Sequence, residues 1–239
     1  LLAGFPGDEA ECFRHTTHPD HPEARSRLVE SLSRAEPSDT RRDYLKPAVF
    51  RILDSEDATI DQANDAPRVR RLRGNVAQGL LRRGESLELV AGNYAEPVKI
   101  RRIERNYGEA EQVYPGDSVW AHVLLPWWAN PGEGSALAAP NTLQGTRQVE
   151  VFALLLPRAT AGRRTLRGAE NVSLAVDGAS FGASLLPGSE WFYEGQEQPL
   201  SLRLAFSRPV ALATGSRVSL LQDGARLGPG VVTRLLAEE

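Results

Sequence analysis

The sequence predicts a mainly β protein: two consecutive antiparallel β-barrels preceded by one short α-helix. Three observations lead there. Polar and apolar residues alternate through two sets of short segments, the pattern of strands with one buried face. Glycine and proline separate the segments at Gly74, Gly79, Gly84, Gly92, Pro115-Gly116 and Pro131-Gly132, and short strands punctuated in this way imply a barrel or a sandwich. The last two apolar-rich runs flank Asp223-Gly224, a pair that accepts positive φ, so the chain closes on a tight hairpin.

Residues 19–36 read as the helix. Asp20 caps it, Pro22 suits its first turn, and Ala24, Leu28, Leu32 and Ala35 repeat on one face. Pro37 stops it, and the polar stretch 37–43 reads as a linker. Strands are expected at 46–53, 68–77, 85–91, 97–105, 117–125 and 135–139. After a break at Pro140 to Gly145 a second set follows at 147–156, 171–176, 181–186, 199–206, 216–222 and 229–236. The chain therefore divides into 1–40, 41–142 and 143–239, with no short repeat and no low-complexity tract.

Composition narrows the class. With 239 residues the chain is long enough to bury real cores without disulfides or metals. A formal charge of -3 and 41% hydrophobic residues describe a soluble globular protein and supply no net basic field for DNA. Only Lys46 and Lys99 are lysines among the 28 basic residues, an imbalance that reads as codon bias. Cys12 is the sole cysteine, which excludes an intrachain disulfide and points to a reducing, cytoplasmic compartment. There is no methionine, and the opening Leu1-Leu2-Ala3-Gly4-Phe5-Pro6-Gly7-Asp8 lacks the basic and apolar regions of a signal peptide, so the chain is expected to start inside a longer gene. Apolar runs such as Val119 to Trp128 fall short of the about 20 residues that cross a bilayer, so no membrane partner is expected.

In order along nearly the whole chain, particular motifs resemble the elongation factor Tu family of translational GTPases. Leu1-Leu2 with Phe5-Pro6-Gly7-Asp8 is similar to the end of that family's GTPase domain, and Arg27 to Leu32 to its final helix. Tyr44-Leu45-Lys46-Pro47 resembles the entry into that family's second domain, Val76 to Gly92 its strand, turn and strand, and Tyr114 to Val119 its Gly-Asp turn. Val149-Glu150-Val151 resembles the start of its third domain, and Asp223 to Thr233 is the most specific match. The resemblance implies that 1–40 is the C-terminal remnant of a GTPase domain, 41–142 the family's second-domain barrel and 143–239 its C-terminal barrel. It also implies aminoacyl-tRNA and the ribosome as partners, with GTP and Mg as cofactors of the parent family.

Departures from the family bear on function. No Gly-x-x-x-x-Gly-Lys-Ser/Thr phosphate loop occurs, so no cofactor and no GTP hydrolysis are expected in this chain. The guanine-contacting stretch expected after Asp8 is replaced by Glu11 to His18, and Asp54 to Pro67 is an acidic insertion expected to form a flexible loop. The family holds the aminoacylated 3′ end with a Glu followed two and three places later by His and Arg; here those places read Glu104, Asn106 and Tyr107. The resemblance implies that Glu104 accepts hydrogen bonds from a ribose hydroxyl and that Tyr107 is placed to stack on the terminal base. The bland alternative for Glu104 is a solvated strand residue paired with a neighbouring Arg. For the tRNA stem the matching residues are Arg163, Arg164 and Thr165 after Gly162, with Gly224 and Arg226 in the last hairpin, whose guanidinium and backbone N–H groups suit phosphate oxygens. The Arg-Pro-Gln-Phe-Tyr run expected next is replaced by Ala169 to Ser173, which weakens that contact.

Other constellations read blandly. His15, His18 and His21 with Cys12 are metal-binding residue types, but their spacing matches no closed motif. The acids of 54–65 lack the Gly and terminal Glu of a calcium loop. Trp127-Trp128 are expected to pack at a barrel rim, with a surface partner site as the alternative. No catalytic residue is assigned. Two functions remain: an elongation factor Tu-like part that binds aminoacyl-tRNA, or a diverged paralogue whose barrels serve as a protein-interaction module.

Overall fold

The computed structural model describes residues 44–57, 68–105, 108–155, 171–187 and 198–237. In its first half the strands are β1 (Val49–Asp57), β2 (Arg68–Gln78), β3 (Leu81–Arg82), β4 (Ser86–Ala91), β5 (Tyr94–Arg105), β6 (Gly108–Glu109), β7 (Gln112–Val113), β8 (Ser118–Leu125) and β9 (Ala136–Ala138). The second half carries β10 (Gln144–Leu155), β11 (Asn171–Val176), β12 (Ala179–Leu185), β13 (Gln198–Leu212), β14 (Arg217–Gln222) and β15 (Ala225–Leu236). The first set runs β4-β9-β1-β2-β8-β5 and closes through a β5–β4 pairing, with β6 hung on β5 and β3 paired to β7 apart. The second closes as β10-β13-β12-β11-β14-β15, and every pairing in both rings is antiparallel. Two consecutive barrels are thus present. No helix occurs among the described residues, and the helix expected at 19–36 lies outside them.

Each ring forms because its strands place apolar groups on alternate positions. In β8, Val119, Ala121, Val123 and Leu125 point inward while Trp120, His122 and Leu124 point outward. They meet Phe50, Ile52, Leu72, Leu87, Leu89, Ile100 and Leu137 in the first core, each fully buried large aliphatic adding roughly 1.5–3 kcal/mol. The second core joins Val149 and Val151 of β10 to Leu202 and Leu204 of β13 and Val232 of β15. The closing hairpin turns at Asp223 (φ 51°) and Gly224 (φ 75°), with Gln222 opposite Ala225. Both φ values are those a two-residue turn of matching twist demands, which is why Gly follows Asp there.

One boundary corrects the sequence reading. Asp54 to Asp57 are strand rather than loop, because β1 continues in register with the arginines of β2, Glu56 opposite Arg71 and Asp57 opposite Arg70. Arg70 Nε lies 2.9 Å from Asp57 and Arg71 Nη1 3.5 Å from Glu56, so charge pairs across the ladder carry the strand past its apolar part. The rest of the expected acidic loop, 58–67, lies outside the described residues.

In the first ring β9 lies opposite β8, and the two sides differ. The outer faces of β4, β9 and β1 present Val49, Val90, Ala136 and Ala138, which pack with Leu143 and Ala211 against the second barrel. A Cβ on Gly145 would sit 1.8 Å from the Gly92 carbonyl oxygen, so only glycine permits this approach of the barrels. Arg51 crosses the seam at 2% exposure: its Nε and Nη2 donate to Asp177 Oδ2 at 3.0 and 2.9 Å, and its Nη1 donates to the Ala211 carbonyl. Leu53, the extra residue of a bulge in β1, packs against the second core. One side of the first barrel is therefore docked; among the described residues the face formed by 71–73 of β2, 120–122 of β8 and 102–104 of β5 lies outside that seam and is the free side.

Candidate functional site

The free side owes its chemistry to a bulge in β5. Ile100 pairs with Val123 and Arg102 with His122, leaving Arg101 without a partner position. Without that extra residue Glu104 would share the inward face with Val98 and Ile100; with it, Ile103 takes the inward position and Glu104 points out.

Register then assembles two rows of side chains across three strands. Arg73 of β2 stands opposite Trp120 of β8, which stands opposite Glu104 of β5. Two residues along, Arg71, His122 and Arg102 form the second row. The Arg71 guanidinium lies 4.4 Å from the centre of the Trp120 ring and that of Arg73 5.9 Å from it. Arg71 Nη2 reaches across β8 to Glu104 Oε2 at 3.3 Å. Arg102 Nη2 lies 2.8 Å from Glu104 Oε1, and its Nε 2.9 Å from Glu109. His122 Nε2 is 3.2 Å from Glu104 Oε2 but makes no hydrogen bond, and Arg71 Nε is likewise buried and unpartnered. Burial of Glu104 acts to raise its pKa; the polar contact with His122 and the charges of His122, Arg102 and Arg71 outweigh it and hold the carboxyl below its ordinary value. The face is thus an ionised carboxylate set beside an indole and ringed by guanidinium groups. Such a set offers an acceptor for hydroxyls, a stacking ring and donors for anions.

Of the residues singled out in the sequence, Glu104 belongs to this cluster, paired with arginines as its bland alternative describes. Gly224 and Arg226 lie on the other barrel, at and just beyond the β14–β15 turn, with Arg226 exposed. Tyr107, Arg163, Arg164 and Thr165 lie outside the described residues, as do Cys12, His15, His18 and His21. Among the described residues no group of three or more His, Cys, Asp or Glu side chains could hold a metal ion. No helix there is long and apolar enough to cross a membrane.

Sequence reasoning missed Arg71, Arg73, Arg102, Trp120 and His122. Alternation within the strands signals that each pair two apart shares a face, whereas their meeting depends on register. Packing of Trp127-Trp128 is overturned: they are 51% and 45% exposed, because the β8–β9 connection turns both outward. The geometry defines a tandem of closed six-stranded antiparallel barrels with a charged aromatic face on the first. No protein-family model matches the sequence.

Proposed function

We propose that this chain is the two-barrel part of an elongation factor Tu-like protein. Its free first-barrel face would take the aminoacyl end of a tRNA, and the β14–β15 turn of the second barrel would meet the stem. The observation that carries this reading is Glu104 held ionised beside Trp120 and under Arg71. A carboxylate has about four lone-pair directions, so contacts with Arg71, Arg102 and His122 orient it and leave acceptor capacity for a ribose hydroxyl. Trp120 supplies the stacking surface that Tyr107 supplies in the sequence reading. The order of the motifs, from Tyr44-Leu45-Lys46-Pro47 to Asp223-Gly224, supports the same assignment. The sequence carries no phosphate loop, so GTP and magnesium would be held outside this two-barrel part. Nucleotide hydrolysis would reside in an N-terminal domain, missing or degenerate, and delivery to the ribosome would place the protein in the cytoplasm.

A filter-binding titration with aminoacyl-tRNA and its deacylated form tests the proposal. Affinity for the aminoacylated form that falls steeply with salt is expected; no affinity at low salt would remove the reading. The exposed Trp127 and Trp128 favour a second reading, in which the barrels of a diverged paralogue serve as a protein-interaction module without tRNA.

A further inference from the structure

The β8–β9 connection turns two tryptophans into solvent at the end of the first barrel where β1 finishes. Trp128 meets Tyr94 edge-on, with ring centres 5.1 Å apart and planes at 74°, so the patch continues into the β4–β5 turn. Carboxylates border it. Glu96 lies two residues along β5 from Tyr94, and Glu133 sits on the same connection as the tryptophans. Asp57 is tied in through Arg70, which pairs with it at 2.9 Å and reaches Asn130 Oδ1 at 3.5 Å. Ser55 Oγ donates to the Pro131 carbonyl at 2.6 Å, fixing the acidic end of β1 against the connection. Arg70 is 13% exposed while Asp57 is 45% exposed, so the carboxylate of that pair faces water and its cation does not. Glu133 pairs with Arg208 of the second barrel, leaving both half-exposed.

We propose that this acid-bordered aromatic patch docks an arginine- or lysine-rich segment of a partner protein. The proposal rests on the second reading above and names the partner's chemistry. Large exposed rings rimmed by polar groups mark an interaction site, and indole faces attract guanidinium and ammonium groups. Carboxylates at the rim steer a cationic segment inward and repel a polyanion, which separates this patch from the arginine-rich face around Glu104.

Fluorescence anisotropy of a dye-labelled octa-arginine peptide titrated with the whole chain tests it, beside octaglutamate and a neutral proline-rich peptide. Octa-arginine is expected to bind at low salt and octaglutamate not to. Trp127→Ala/Trp128→Ala should weaken octa-arginine about tenfold, and Glu96→Gln/Glu133→Gln about threefold with a shallower salt dependence. Unchanged octa-arginine affinity in the tryptophan variant overturns the proposal. Equal or tighter binding of the neutral peptide also overturns it, while leaving an interaction module standing; binding of no peptide removes both. If the tryptophan variant fails to fold, judged by circular dichroism, the glutamine variant decides: unchanged affinity and salt slope overturn the proposal, and weakened, salt-insensitive binding supports it.

Discussion

Arg51 and Arg71 stand on neighbouring strands of one barrel and have opposite fates. Arg51 lies on the docked side at 2% exposure, with Asp177 and the Ala211 carbonyl as its acceptors. Arg71 lies on the free side at 34% exposure, stacked on Trp120 and shared between Glu56 and Glu104, with its Nε unpartnered. The same guanidinium is structural where the second barrel encloses it and stays partly open to water where, among the described residues, the second barrel does not reach. What separates them is the neighbour, since an enclosed cation is tolerable only when fully paired.

The largest effect should come from breaking the enclosed pair. Asp177→Ala would leave the Arg51 charge inside the seam with one carbonyl, and chemical denaturation should show a loss of about 3 kcal/mol. Gly145→Ala, which drives a Cβ into the Gly92 carbonyl, should cost about 2 kcal/mol in the same assay. On the free side the expected loss moves from stability to binding. Trp120→Ala should reduce affinity for aminoacyl-tRNA by about 1–2 kcal/mol, read by filter binding, with a smaller change in the melting temperature. Smallest is the pH effect of Glu104. Its pKa is depressed in the fold, so its stabilisation is complete above the unfolded glutamate pKa of about 4.3 and is lost as pH falls through the folded value. Glu104→Gln should therefore cost about 1 kcal/mol or less at pH 7 and nothing once the wild-type carboxyl is protonated. A difference between the two that persists unchanged into acid would contradict the assignment.

Much of the architecture was legible because strands announce themselves locally. Val119, Ala121, Val123 and Leu125 alternate whatever lies beside them, and Asp223-Gly224 turns the chain by its own φ preferences. The bulge in β5 was half-legible: Ile100 and Ile103 stand three apart, which breaks the period of two, yet the choice of which residue turns outward is made by β8. The row of Arg73, Trp120 and Glu104 was not legible, since its members are far apart in sequence and meet only through register. Asp54 to Asp57 misled because acidic residues read as loop, whereas β2 offered them arginines. Trp127 and Trp128 misled in the other direction: apolar residues fill interiors, but an apolar residue need not be interior.

Closure of both rings has a further consequence. A sheet that bites its own tail keeps few idle amide and carbonyl groups for a foreign strand to join; among the described strands these remain at β6, at β3 and β7, and along the end of β1 that β9 does not reach. Across the closed parts of the two rings a partner must therefore read side chains rather than extend the hydrogen-bonded ladder.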